Sequence, residues 1–173
     1  DRRQRQMCIR DRARNGDPDA FTALMESQMQ NMYKAARSVL CNDEDIADAI
    51  SDTILVCWEK LSQLKEARYF RTWMTRILLN KCSDILRKRR QMVWMDEIPE
   101  TPDVDDGFEN SEWKEALNSL AENFRLVVML YYIEGFKTSE ISQILDIPEG
   151  TVRSRLARGR EQLAGLLQLK VVN

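Results

Sequence analysis

Apolar residues in the first half of the chain recur every three or four positions, which is the spacing of amphipathic helices. This spacing predicts one helix over 17–40, where Asp17 caps the N-terminus and Pro18 takes the first helical position. It predicts a second helix over 42–61 and a third over 70–90. Three such helices are enough to bury one compact core.

The second half of the chain begins with a break in this pattern. Residues 91–110 hold two prolines, a glycine and a run of acids, which is typical of a solvated linker. Apolar residues at helical spacing return from Ser111, and no segment alternates with a period of two. The pattern therefore predicts an all-α fold of two small helical domains, 13–90 and 111–173, joined by an acidic flexible linker.

The first twelve residues show no helical pattern of apolar positions. Residues 7–12 resemble the translation of a common sequencing-adapter end, and an Arg/Gln run precedes them. We expect residues 1–12 to be a non-native or disordered leader; a genuine basic N-terminal arm is the alternative.

Composition limits the chemistry that this chain could perform. Of 173 residues, 43% are hydrophobic and 31% are charged, and no apolar run is long enough to span a membrane. The absence of histidine excludes Ser–His and Cys–His catalysis and His-containing metal sites. Four scattered cysteines without a C-x-x-C pair indicate free thiols in a reducing, cytoplasmic compartment. We therefore expect no catalytic residue, metal, cofactor, small-molecule substrate or membrane insertion.

Charge is distributed unevenly along the chain. The net charge of −2 combines +5 over residues 1–90, −8 over 91–112 and +1 over 113–173. Because nucleic-acid binding depends on local patches rather than on the total, the negative net charge does not exclude it.

The strongest local motif spans residues 137–160. A short helix with an apolar face is followed by a turn at 146–148 and by a second helix that begins near Pro148, with Gly159 at a position of close approach. The polar side of that second helix carries Thr151, Arg153, Ser154, Arg155, Arg158 and Arg160. Such a pair is typical of a helix-turn-helix, whose second helix fits the DNA major groove. A helical hairpin with a solvated basic face is the alternative.

Residues 68–90 form a second basic segment, with eight basic residues against one acid. Tyr69, Phe70 and Trp73 lie at its start, and basic groups beside aromatic rings suit single-stranded DNA, because rings stack on unpaired bases. Core packing is an equal alternative for Phe70 and Trp73, as ordinary exposure is for Asn80.

The preceding helix has the opposite charge. Residues 43–66 hold seven acids against Lys60 and Lys65. Because an acidic helix cannot bind the same phosphates as its basic neighbour, it predicts a protein-docking surface with Trp58 as a candidate anchor. A merely solvated face is the alternative.

These segments together resemble a known family. Residues 45–53 (DIADAISDT) are similar to its polymerase-clamp-binding segment, and residues 70–77 (FRTWMTRI) with the run at 87–90 are similar to the segment that opens the −10 element. Residues 132–136 (YIEGF) and 148–156 (PEGTVRSRL) are similar to its −35-binding domain. The chain therefore resembles bacterial RNA polymerase sigma factors of the sigma-70 family, in the extracytoplasmic-function (ECF) subfamily.

The resemblance implies a sigma-2-like domain at 13–90 and a sigma-4-like helix-turn-helix domain at 111–173. It implies that the protein directs core RNA polymerase to specific promoters and promotes −10 strand opening without catalysing a reaction. The partners it implies are core RNA polymerase, promoter DNA and an anti-sigma factor.

The resemblance also implies three sets of contact residues. Those for −35 DNA are Thr151, Arg153, Ser154, Arg155, Arg158 and Arg160. Those for −10 DNA are Tyr69, Thr72, Trp73, Arg76 and Asn80, and those for the polymerase are Ile46, Asp48, Asp52 and Trp58. Three positions depart from the family pattern: Ser51 replaces a usual glutamine, Ala121 a common proline, and Asp146 a frequent glycine.

Two other classes of function fit parts of the sequence. A repressor or response-regulator output domain would use the same helix-turn-helix, but it needs a receiver or ligand lobe, and no alternating β/α pattern precedes the motif. A helical scaffold or anti-sigma-like adaptor would leave the basic helices incidental. An enzyme would need a titratable constellation that the sequence does not contain.

Overall fold

A computed structural model describes residues 2–92 and 111–171 of the chain. Over these residues it contains eight α-helices and no β-strand, which confirms the all-α prediction. The helices are α1 (Arg2–Arg14), α2 (Pro18–Arg37), α3 (Asp43–Lys60), α4 (Phe70–Met92), α5 (Ser111–Ser119), α6 (Glu122–Val128), α7 (Thr138–Leu145) and α8 (Glu149–Val171). None of the helices in these two ranges is long and apolar enough to cross a membrane.

Side-chain caps fix where α2 and α3 begin. The Asp17 carboxylate accepts hydrogen bonds from the backbone N–H groups of Asp19 (3.0 Å) and Ala20 (3.1 Å). The Asn42 side chain accepts one from the N–H of Asp45 at 2.8 Å. Both caps satisfy backbone donors that the first turn of a helix leaves unpaired. The two helices therefore begin where the sequence predicts.

The core of the first domain lies between α2, α3 and α4. Its most deeply buried large side chains are Met32, Leu40, Ile46, Phe70, Met74 and Leu78. Ile54, Ile77 and Ile85 follow the same helical spacing, and they pack partly buried against this core. The apolar spacing predicted for the three helices is thus confirmed as the buried side of each, with these isoleucines at its margin.

Helix α1 packs along α2 and buries Ala13. The guanidinium of Arg14 donates a hydrogen bond to the carbonyl of Lys65 at 2.9 Å, which ties the end of α1 to the loop before α4. A helix of this kind is compatible with either origin of the segment. The expectation that residues 1–12 are a non-native or disordered leader stays a prediction.

Helices α5 to α8 form the second domain. The end of α6 widens into one π-helical turn over Met129–Ile133, and the chain leaves it at Gly135, whose φ of +72° favours glycine. Helix α7 ends at Asp146 in the left-handed conformation, with a φ of 54°. The predicted tight turn before α8 is confirmed, and Asp is among the few residues that tolerate this conformation.

The position of α8 depends on Gly159. A Cβ atom at this residue would lie 2.7 Å from Cγ2 of Val128 on α6. This distance confirms the predicted close approach, because a Cβ atom at this position would overlap the Val128 side chain.

The two domains touch through α4 and α7, and the buried side chains of both form one contiguous cluster. Helix α4 continues to Met92, so residues 91 and 92 are helical rather than part of a linker. The remainder of the predicted linker, 93–110, lies outside the described residues. The boundary between the domains stays a prediction.

Candidate nucleic-acid interfaces and docking surface

Helices α7 and α8 form the predicted helix-turn-helix. The hydroxyl of Ser142 donates to the carbonyl of Ile147 at 2.6 Å, and the N–H of Ile147 donates to the carbonyl of Ser142 at 3.2 Å. These two bonds close the turn across the left-handed residue. Buried Val152, Leu156 and Leu163 then hold one side of α8 against the domain core. The opposite side of α8 faces solvent.

Four of the six predicted −35 contacts lie on this solvent face. Arg153, Ser154, Arg158 and Arg160 are exposed, whereas Thr151 and Arg155 are half-buried. Arg155 lies nearer the core and lines an open groove of about 410 Å³ with Leu126 and Leu145. The face available to a major groove is therefore narrower than the sequence implied.

Contacts around α8 restrain two of its arginines. One carboxylate oxygen of Glu149 accepts hydrogen bonds from the Thr138 hydroxyl at 2.7 Å and from the Arg153 guanidinium at 2.8 Å. These partners, the hydroxyl first, lower the pKa of Glu149 below its ordinary value. Arg160 donates to the hydroxyl of Tyr132 at 3.3 Å. Sequence analysis missed both restraints; the spacing of four residues from Glu149 to Arg153 was the available signal.

The predicted −10 surface forms a stripe on α4. Trp73, Arg76 and Asn80 follow one another at spacings of three and four residues and share a face; Arg76 and Asn80 are exposed and Trp73 is half-buried. Tyr69 is 43% exposed at the head of the stripe, and it lines a pocket of about 400 Å³ together with Trp73 and loop residues before α4. The stripe brings aromatic, basic and amide groups together beside a cavity.

Thr72 does not share that stripe. Its side chain is only 6% exposed, because it lies on the same side of α4 as the buried residues Thr75 and Leu79, three and seven positions later. Thr72 is therefore buried beside the stripe in this conformation, and its expected contact with −10 DNA stays a prediction.

Several basic residues of α4 and the loop before it are engaged by acids. Arg68 pairs with Glu66 and Arg87 with Asp84, at 2.6 and 3.2 Å. Arg89 pairs with Asp45 at 2.6 Å, and Arg71 with Glu134 at 2.8 Å. Asp45 and Glu134 belong to other elements, so part of the positive charge on 68–90 holds the fold together.

The acidic face of α3 is exposed at Asp48 and Asp52. Trp58 is 47% exposed, with its ring edge-on to Phe21 at a centroid distance of 4.9 Å. Leu55, which is 60% exposed, was missed by sequence analysis, although its position three residues after Asp52 placed it on this face. The surface therefore combines acids with two exposed apolar side chains, a composition that suits a protein partner.

Ile46 is a correction to the predicted polymerase contacts. Its side chain is 1% exposed and packs in the core of the first domain. In this conformation Ile46 therefore packs beneath the acidic face of α3 instead of forming part of its surface.

The described residues contain no group of three or more Cys, Asp or Glu side chains arranged to hold a metal ion. Of the cysteines, Cys57 and Cys82 are buried, and burial raises the pKa of each thiol to about 12. These thiols are therefore poor nucleophiles and poor ligands.

Two family models match the chain. The model described as Sigma-70 region 2 matches residues 24–92, and the model described as Sigma-70, region 4 matches residues 111–163. The first match runs from within α2 to the end of α4 and includes the acidic face and the α4 stripe. The second spans α5 to the middle of α8, with the helix-turn-helix.

Relatives and a solved structure resemble most of the chain. The ECF RNA polymerase sigma factor SigW of Bacillus subtilis is 27% identical over 169 residues, covering 87% of this chain and 90% of that protein. The ECF RNA polymerase sigma factor SigE of Mycolicibacterium smegmatis is 30% identical over 160 residues, covering 86% of this chain and 62% of that protein. The structure of CnrH in complex with the cytosolic domain of CnrY superposes with a TM-score of 0.69 at 25% identity, covering 95% of this chain and 97% of that one.

Proposed function

This chain belongs to the extracytoplasmic-function subfamily of the sigma-70 family, and we propose that it directs core RNA polymerase to specific promoters and promotes opening of the −10 region. The observation that carries this proposal is the presence on one chain of two exposed surfaces with different chemistry, the arginine face of α8 and the α4 stripe. The arginine face of α8 suits duplex DNA, and the α4 stripe suits unpaired bases.

Different residues bind the −35 duplex and the opened −10 strand. Arg153, Ser154 and Arg158 on the solvent face of α8 contact bases of the −35 duplex, with Arg160 nearer a phosphate. Arg155 and Thr151, which are half-buried, take the edge of that interface. Tyr69, Trp73, Arg76 and Asn80 bind the opened −10 strand, with the two aromatic rings stacking on bases.

The acidic face of α3 serves a separate role as the docking surface for core polymerase. Asp48 and Asp52 supply charge, and Trp58 with Leu55 supplies apolar area. Because this face is acidic, it repels DNA phosphates, and DNA binds at α4 and α8 instead.

The proposal extends to the regulation and location of the chain, and family membership supports both. Sigma factors initiate transcription, and we propose that this chain contributes binding and orientation without catalysing a bond change, in the cytoplasm where the polymerase acts. An anti-sigma protein is its proposed regulator; CnrH, which this chain resembles, has been solved with the cytosolic domain of another protein, CnrY.

Run-off transcription tests the proposal. Purified full-length chain is mixed with core RNA polymerase and the DNA upstream of its own gene, and a transcript of defined length is expected only when both proteins are present. A matched sample with Asp48→Arg should lose the transcript, and one with Glu26→Arg, an exposed acid on α2, should keep it.

DNA binding without polymerase separates this function from a repressor. The net charge of −2 gives little long-range attraction to DNA, so the free chain should bind duplex promoter DNA weakly. Tight, sequence-specific binding by the free chain at physiological salt, with no transcript on adding core enzyme, would contradict the sigma function and favour the repressor.

A further inference from the structure

Glu149 stands between the two helices of the helix-turn-helix. It is the first residue of α8, and its Oε1 atom accepts hydrogen bonds from Thr138, the first residue of α7, and from Arg153, one turn further along α8. Thr138 on α7 thus fixes the carboxylate, and the carboxylate in turn binds Arg153 on α8. A surface ion pair alone would not fix its partner in this way, because both side chains would move together.

We propose that Glu149, fixed by Thr138, is a positioning residue that sets the direction of the Arg153 guanidinium and so determines base specificity at the −35 element. This inference rests on the proposed function of α8 as a DNA-binding helix. It assigns Glu149 no contact with DNA itself.

The geometry supports orientation rather than sequestration. Arginine carries five N–H donors in a rigid fork, and the recorded bond to Glu149 uses only Nη2. The Arg153 side chain remains 68% exposed, so its remaining donors can approach a base edge while the bond persists. A glutamate four residues before an arginine is also the favourable order for a pair on a helix.

The physical gain is the ordering of a long side chain before DNA arrives. Fixing one rotamer-rich side chain at an interface costs roughly a factor of 3 to 10 in affinity. An arginine that is already directed pays this cost in the free protein and keeps its fork aligned with guanine O6 and N7. The accompanying carboxylate repels neighbouring phosphates, which lowers binding to every sequence alike, so the discrimination between bases comes from the directed arginine.

The test measures promoter discrimination by holoenzyme assembled from the full-length chain and core polymerase. Single base-pair substitutions across the −35 element first locate the pair at which Arg153→Ala loses discrimination. Glu149→Gln, which keeps the shape and removes the charge, should lose roughly 3- to 10-fold of discrimination at that same pair. It should leave the other pairs unchanged and bind unrelated duplex DNA slightly more tightly.

Three variants separate positioning from other roles. Thr138→Val removes the donor that fixes the carboxylate, and it should lose discrimination at the same pair to a smaller extent. Glu149→Gln in an Arg153→Ala background should cause no further loss. Glu161→Gln, an exposed carboxylate on the same helix, is the charge-matched control and should keep full discrimination.

Several outcomes would overturn the inference. An equal loss of affinity for all promoter variants would indicate a structural role, and a loss that persists in the Arg153→Ala background would indicate a direct base contact by Glu149. If Glu149→Gln does not fold, unchanged discrimination by Thr138→Val overturns the inference on its own. A wild-type holoenzyme that shows no preference among promoters would overturn the proposed function itself, which distinguishes that failure from the failure of Glu149.

Discussion

The guanidinium of Arg71 on α4 lies 2.8 Å from the carboxylate of Glu134, 63 residues away in the second domain. It also donates to the Glu134 backbone carbonyl at 2.6 Å and lies 4.3 Å from the centre of the Phe136 ring. The Glu134 side chain is only 6% exposed. This cluster joins the helix that carries the −10 stripe to the segment that leads into the helix-turn-helix.

Breaking this pair should loosen the two domains. Glu134→Ala leaves Arg71 without its carboxylate at a half-buried position and should lower the free energy of unfolding by about 1–3 kcal/mol. Chemical denaturation measures the loss, and small-angle X-ray scattering should show a larger radius of gyration. Arg68→Ala breaks an exposed pair with Glu66 and should change neither quantity measurably. Equal effects of the two substitutions would contradict the role of the Arg71 cluster.

The exposed arginines of α8 should differ in whether they contact bases or phosphates. Arg153→Ala and Arg158→Ala should each cost about 1–3 kcal/mol of discrimination between −35 sequences, because each removes a base contact. Arg160→Ala should weaken binding evenly across sequences and reduce its salt dependence, as expected for a phosphate contact. Holoenzyme binding to −35 variants at two salt concentrations measures both. If all three variants lose the same affinity on every sequence, the base contacts are wrongly assigned.

Gly159 should be the least replaceable glycine of α8. Its added Cβ would lie 2.7 Å from Val128, so Gly159→Ala should destabilise the second domain by about 1–3 kcal/mol despite the better helix propensity of alanine. The matched control is Gly165→Ala on the same helix, where no atom lies within 4 Å. That control should stabilise the helix by about 0.5–1 kcal/mol. Thermal unfolding of both variants measures these changes in stability. An unchanged stability of Gly159→Ala would mean that α6 and α8 can shift apart.

Reversing charge on α3 should separate polymerase binding from DNA binding. Asp52→Arg should abolish the association with core polymerase, because it removes an exposed carboxylate from the proposed docking surface. The weak DNA binding of the free chain should not fall. Native mass spectrometry or size-exclusion chromatography with core enzyme measures the first effect, and a DNA-binding titration the second. A variant that binds core enzyme normally would move the docking surface elsewhere.

The buried thiols should not react with alkylating reagents until the chain unfolds. Because burial raises the pKa of Cys57 and Cys82 to about 12, almost no thiolate is present at pH 8, and neither should react with iodoacetamide in the native state. Exposed Cys8 should react, which mass spectrometry of the labelled chain detects. Since the unfolded thiols titrate near pH 9, their contribution to stability is complete below that pH and decreases as the pH rises toward 12. Labelling of Cys57 and Cys82 at the rate of Cys8 would contradict this burial.

Much of this protein was determined by its sequence alone, because the relevant interactions are local. The caps at Asp17 and Asn42 act within three residues, and the apolar stripes follow from the period of a helix. The turn at Asp146 follows from a residue type that tolerates the left-handed conformation. Gly159 indicated a close approach because it lacks a side chain, although the helix that it approaches is known only from the structure. The arginine face of α8 was predictable in the same way, because its arginines lie away from the apolar side of the helix.

Only the tertiary structure decided which side chains of these helices are available. Ile46 and Thr72 fit the segments that resemble known contacts, yet packing against neighbouring elements buries both. Arg71 is one of several basic residues in the sequence, and the fold alone pairs it with Glu134, because that partner comes from another domain. The bond from Thr138 to Glu149 likewise joins two helices. Helical periodicity states which way a residue faces, but the partner it meets there depends on how distant segments pack.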